Sequence, residues 1–182
     1  MIGLDWAPWD TARKLIKKQS DLKNYIVGFG PRTHPDLLPL IDGFNAFFDT
    51  GFGADDRVAQ ADITRRAGHL NHVANAIHGW MVMAEITAAM TRKGRMPAMW
   101  KSYSHPDGRE WGSRYLGKMQ FHDEFKIPPQ PAGFLAKTYI DRIRYLVRRL
   151  KIQELANLRR AGELIAAEHK LGRKTVVAWD GH

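Results

Sequence analysis

The stretch Asn24–Phe48, NYIVGFGPRTHPDLLPLIDGFNAFF, decides the fold. It opens and closes with short apolar runs, Asn24–Phe29 and Asn45–Phe48. Each is of strand length and gives way to a turn signal. Between them, Gly30, Pro31, Arg32, Thr33 and His34 form a turn, and Pro35 suits the first turn of a helix running to Leu40. Upstream, Thr11–Leu22 carries Ala12, Leu15 and Ile16 on one side, with Asp10 as its N-cap. Helix, strand, helix and strand at these lengths make a βαβ unit, whose helical crossover requires parallel strands. The expected class is α/β: a parallel sheet flanked by helices, helix-rich, with long helices toward the C-terminus.

Beyond this unit, Asp62–Lys93 reads as one long helix with Asp62 as N-cap, Gly94 as its C′ glycine and Pro97 as the stop. Leu70, Val73, Ile77, Met81, Ala84 and Ala88 make its core face. A second stripe carries Asn71, Asn75, His78, Glu85 and Arg92. Residues 97–131 are rich in Pro and Gly and read as irregular, with one strand in Met96–Tyr103. Phe134–Ile152 and Leu155–Leu171 are helical, and Gly172 stops the second. Thr175–Trp179 has the composition of a short buried strand.

Composition narrows the function classes. The chain has 182 residues, of which 44% are hydrophobic, the range of a packed core. With 0 cysteines, disulfides, thiolate catalysis and zinc-thiolate sites are excluded. No apolar run is long enough to span a bilayer, and the N-terminus does not read as a signal peptide, so the expectation is a cytoplasmic protein without a membrane partner. A net charge of +9 favours anionic partners: a phosphorylated small molecule, nucleic acid or an acidic protein face.

The loop Gly30–His34 is the first candidate site. It follows a strand, and its Gly allows backbone amides to approach a ligand, while Arg32, Thr33 and His34 add donors. The stripe of Asn71, Asn75, His78 and Glu85 is the second, either lining a pocket or holding a base. The alternative for the stripe is a polar helix face bonded to neighbouring loops. A His and a Glu at helical distance also suit a metal, but no metalloprotease-type His-Glu spacing is present, so no metal is expected. Nor is a cofactor. The arginines at 142, 144, 148, 149, 159 and 160 suit either solvation or nucleic-acid phosphates.

Three stretches resemble the SIS (sugar isomerase) domain superfamily. Arg159–His182, RRAGELIAAEHKLGRKTVVAWDGH, resembles the entry helix and first strand of such domains. Asn75–Lys118 resembles the closing helix and tail of uncharacterised SIS-like proteins, through Asn75, Gly94, Pro97, Ser102 and Gly108. The unit around residues 24–52 corresponds to the end of the same lobe.

The resemblance implies a phosphosugar-binding protein related to sugar-phosphate isomerases, with no catalytic residue identified and turnover left open. It divides the chain into residues 1–130, the later part of one SIS-like lobe, and 131–182, the opening of a second, incomplete lobe. It also implies that a phosphorylated sugar or other small anion meets Gly30, Arg32, Thr33, His34, Asn75 and His78, and that Gly181 and His182 belong to the second lobe's loop. The family's phosphate loop is rich in Ser and Thr, whereas these two loops offer Thr33 and no further hydroxyl. A buried-type strand at Thr175–Trp179 invites pairing, so a homo-oligomer is expected, as a symmetric dimer through the 133–171 helices. The alternative is a basic, helix-rich scaffold or nucleic-acid-associated protein without catalysis.

Overall fold

The computed structural model describes residues 2–3, 9–53, 57–60, 66–118 and 120–176. The first sheet is built from β1 (Ile2–Gly3), helix α1 (Trp9–Asp21), β2 (Val27–Gly30), the short helix α2 (Leu38–Ile41) and β3 (Ala46–Asp49). The strands lie in the order β1-β2-β3, all parallel, with Gly28 opposite both Ile2 and Phe47. The expected parallel neighbours around Pro31–Leu40 are therefore present, shifted by one to three residues at their ends. Residues 2–3 form a third strand that makes β2 central.

The alternation along β2 explains its two coverings. Ile26, Gly28 and Gly30 face one way, Val27 and Phe29 the other. On the first side α1 and α2 pack, with Ala12, Ile16, Ile26, Leu37 and Leu40 forming the core cluster. A Cβ on Gly28 would lie 2.6 Å from the Phe44 ring, and one on Gly30 would lie 2.7 Å from Leu37 Cδ2. The missing side chains are thus what lets this layer close on the strand. Leu37 is fully buried there, and burial of such a side chain stabilises by about 1.5–3 kcal/mol. On the other side Phe29 stacks on Phe48 of β3 with centroids 5.6 Å apart.

That second side is covered by the long helix, which is shorter than expected. β4 (Arg57–Gln60) and β5 (Arg66–His69) form an antiparallel hairpin, and α3 runs over Asn71–Arg92. Gly68 takes φ +78° within β5, a conformation no right-handed helix contains, so a helix through this point is ruled out. Asp62, the expected N-cap, lies outside the described residues; Leu70 occupies the cap position. The C-terminal signals hold: Gly94 has φ +75°, its N–H reaches Thr91 O at 2.9 Å, and Arg95 N–H reaches Met90 O at 3.0 Å. This is a Schellman motif.

Two further expectations are corrected. Asp10 is not a cap: α1 begins at Trp9, and the Asp10 carboxylate instead accepts from Arg13 within the helix, 3.2 Å away. The Met96–Tyr103 strand shrinks to β6 (Met96–Pro97), paired antiparallel with β7 (Phe121–His122). Between them sits an unexpected helix, α4 (Gly108–Tyr115). A Cβ at Gly108 would overlap the Ser102 carbonyl, so only glycine lets α4 start against that turn.

The segment leading into α5 (Phe134–Gln153) is fastened to α3 by polar side chains. The buried Thr91 hydroxyl donates to Ala88 O and accepts from Gln130 N–H at 3.0 Å, and Arg92 donates to Gln130 O at 2.8 Å. Glu85 accepts N–H bonds from Gly133 at 2.8 Å and Ala136 at 3.2 Å, capping α5 from another helix.

The chain divides into two compact units, residues 1–139 and 140–182. The second holds the rest of α5 and α6 (Leu155–Lys170). Gly172, φ +73°, ends α6 with the same motif: its N–H reaches His169 O at 3.0 Å and Arg173 N–H reaches Glu168 O at 3.1 Å. No residue of α6 is buried. Thr175 and Val176 form no strand and Val176 is exposed; Val177–Trp179, like Gly181 and His182, lies outside the described residues. Among the described residues the architecture is helix-rich, with six helices and three small sheets.

Candidate functional site

The carboxyl ends of β2 and β3 carry the loops Pro31–Asp36 and Thr50–Gly53, side by side because the strands are parallel and in register. In α/β folds ligands sit at this edge. Several bonds stitch the two loops together. Thr50 N–H donates to Gly30 O at 3.0 Å, Thr33 Oγ1 donates to Phe52 O at 3.2 Å, and Thr50 Oγ1 donates to Asn71 Oδ1 at 3.2 Å, tying in the start of α3.

Asp49 is the knot of this arrangement. One of its carboxylate oxygens accepts N–H bonds from Gly51 at 2.9 Å and Arg32 at 3.1 Å. These two bonds, the Gly51 one foremost, hold its carboxyl below the usual carboxylate range, and the nearby charges of Arg32 and His78 act in the same direction. The sequence signal for this residue was available: an Asp at the end of a strand before Thr-Gly favours a turn in which its side chain binds the amide two residues on.

The expected site residues separate into three groups. Gly30 is buried beneath Leu37 at the strand end. Arg32, Thr33 and His34 lie in the loop. Arg32 is exposed, with its guanidinium carbon 5.6 Å from the centre of the Phe47 ring. The helix expected at Pro35 starts only at Leu38, because His34 organises a turn first. His34 Nδ1 accepts from Asp36 N–H at 3.3 Å, and its carbonyl accepts from Leu37 and Leu38 at 3.1 and 3.2 Å. These three amides are taken up within the turn.

His78 sits 6.0 Å from the Phe29 ring, centre to centre, and its Nδ1 donates to Ala74 O at 2.7 Å. With Glu85, Arg92 and Phe48 it lines a cavity of about 510 Å³. The polar stripe of α3 thus does line a pocket, although Glu85 and Arg92 are committed to the segment around Gln130–Ala136. Asn75 is elsewhere: it lines a different cavity with Phe29, Trp80 and Trp100, and neither of its amide atoms has a hydrogen-bond partner. Gly181 and His182 lie outside the described residues.

A third cluster went unnoticed in the sequence. His122, almost fully buried, has its ring among Trp111, Tyr115 and Phe125, with centroids 4.5–5.2 Å away. Its Nδ1 lies 3.0 Å from the Glu124 carboxylate, a contact that lowers the Glu124 pKa. Trp111, Tyr115, His122 and Phe125 are spaced as on one helix, but α4 ends at Tyr115 and His122 lies in β7, so the fold and not a continuous helix brings them together.

Among the described residues no group of three or more His, Asp or Glu side chains is placed to hold a metal, and no helix is long and apolar enough to cross a membrane. No family model matches the chain, and no curated protein or solved structure matches it either.

Proposed function

We propose that the chain is an SIS-like phosphosugar-binding protein whose anion site is the carboxyl edge of β2 and β3. The observation that supports this reading is the convergence there of Arg32, Thr33 and His34 with the Asp49 loop. Arg32 is exposed and supplies a charge that persists at all working pH values. The proposed ligand is a phosphorylated sugar or another small anion, held by these side chains and not by a helix N-terminus. Asp49 fixes the loop from inside. No catalytic residue is assigned, and binding without turnover is sufficient for the reading.

Calorimetric titration with a panel of sugar phosphates tests it. Wild-type protein should bind at least one member, and Arg32→Ala should weaken that binding by about 1–3 kcal/mol, the range of a charge-assisted contact. No binding by wild type, or equal affinities in both proteins, removes the loop as the site.

The second reading is a basic scaffold or nucleic-acid-associated protein, and it rests on residues 140–176. There Arg142, Arg144, Arg148, Arg149, Arg159 and Arg160 are all exposed on α5 and α6. Polynucleotide affinity falling steeply with salt would favour it. In the first reading the same helices carry a homo-oligomer contact.

A further inference from the structure

The cavity beside Asn75 has the features of a second binding site. It measures about 370 Å³, near the lower end of ligand pockets, roughly 300–1,000 Å³. Its walls are Phe29, Gly79, Met83 and Met99, together with the indoles of Trp80 and Trp100. One polar side chain interrupts this lining. Asn75 Nδ2 and Oδ1 are both buried and both without a hydrogen-bond partner.

Such a pair is costly. A buried donor or acceptor without a partner costs about 1–3 kcal/mol, and native proteins carry few of them. Position 75 does not need an amide for helix formation, since Leu or Ala forms helix at least as well. Around it the molecule pairs its polar groups: Asn71 with Thr50, His78 with Ala74, Glu85 with the start of α5. Asn75 is left out although it lies on the same helix face.

We infer that this cavity binds a small, neutral, planar heterocycle presenting a lactam edge, an N–H beside a C=O, to the Asn75 carboxamide. A carboxamide offers one acceptor and two donors side by side. A lactam edge offers the complement, so two parallel hydrogen bonds form: ligand N–H to Oδ1 and Nδ2–H to ligand carbonyl. The match does not depend on which way round the amide sits, because rotation by half a turn exchanges its two atoms. Flatness follows from the walls, to which three aromatic side chains, Phe29, Trp80 and Trp100, contribute. Neutrality follows from the lining, which contains no charged side chain. A phosphosugar does not suit this lining, so the site is separate from the loop at Arg32. Trp80 and Trp100 are 55% and 64% exposed, so this side of the cavity borders solvent.

Calorimetry with 2-quinolone as the probe and 1-methyl-2-quinolone as its control provides the test, both on the full chain. Methylation removes the N–H and keeps the ring and carbonyl. The expected result is binding of 2-quinolone, with the methylated compound at least about tenfold weaker, the equivalent of one lost hydrogen bond near 1.4 kcal/mol. Asn75→Leu should weaken 2-quinolone at least as much, while leaving the protein folded and no less stable to urea. Equal affinities for the two compounds overturn the inference, leaving an unselective apolar cavity, and so does no binding of either. If Asn75→Leu unfolds, the comparison of the two compounds on wild type still decides.

Discussion

Asp49 at the end of β3 and Asn75 on α3 show what decides the role of a polar side chain. Asp49 is exposed, yet two backbone N–H groups converge on one of its oxygens. Asn75 has its polar atoms sealed from solvent and nothing converges on them. The first is a structural residue because its surroundings already use it; the second has binding capacity because they do not. The pH behaviour of Asp49 follows. Its folded pKa is depressed, so the stability that its carboxylate gives the loop is complete above the unfolded value and is lost as pH falls through the folded one. Amide proton shifts of Arg32 and Gly51, followed by NMR on acidification, should therefore move with a midpoint below the ordinary aspartate value of 3.8. A midpoint at or above that value would mean the two N–H bonds are not made in solution.

At the scale of elements, the helices and strands with strong local signals were legible. Gly94 and Gly172 both end helices in the expected motif, and the apolar runs around Ile26 and Phe47 are parallel neighbours. What was not legible depended on partners distant in the chain. β1 is two residues long and exists because β2 is beside it. α4 starts against the Ser102 carbonyl, a contact that no window of sequence contains. Half of the candidate site was readable for the same reason: Arg32, Thr33 and His34 follow from a turn after a strand, whereas the separation of Asn75 from His78 depends on which cavity each helix position meets. Glu85 shows the limit most clearly. It was a candidate base on a polar stripe, and its carboxylate caps α5 across 48 and 51 residues of chain. Replacing it with Ala leaves two N–H groups of the α5 start unpaired, a loss of about 1 kcal/mol with a range of about 0.5–2 kcal/mol for a missing cap. Urea denaturation should show that loss, with Glu85→Gln recovering part of it; full stability in Glu85→Ala would mean that solvent serves the amides equally well.

For the whole molecule, the informative contrast is between a unit that buries its own core and one that does not. Residues 1–139 hold the cluster around Leu37, whereas α6 buries no residue and exposes Leu155, Leu158, Leu164 and Ile165. Amphipathic helices are stabilised mainly by covering their apolar face, so these side chains favour a partner surface. A second copy of the chain is the occupant proposed with the phosphosugar reading. The exposed arginines of α5 and α6 then bring like charges together, and salt should help: between about 0.01 and 1 M the screening length falls from about 30 to 3 Å. Polynucleotide binding through the same arginines has the opposite sign, because it weakens as salt rises. Sedimentation at micromolar concentration across this range therefore separates the two readings. Self-association should strengthen with salt, and Leu158→Glu, at a side chain that is 63% exposed, should return the chain to a monomer. A wild-type chain that stays monomeric at every salt concentration removes the dimer and leaves these helices to a different partner.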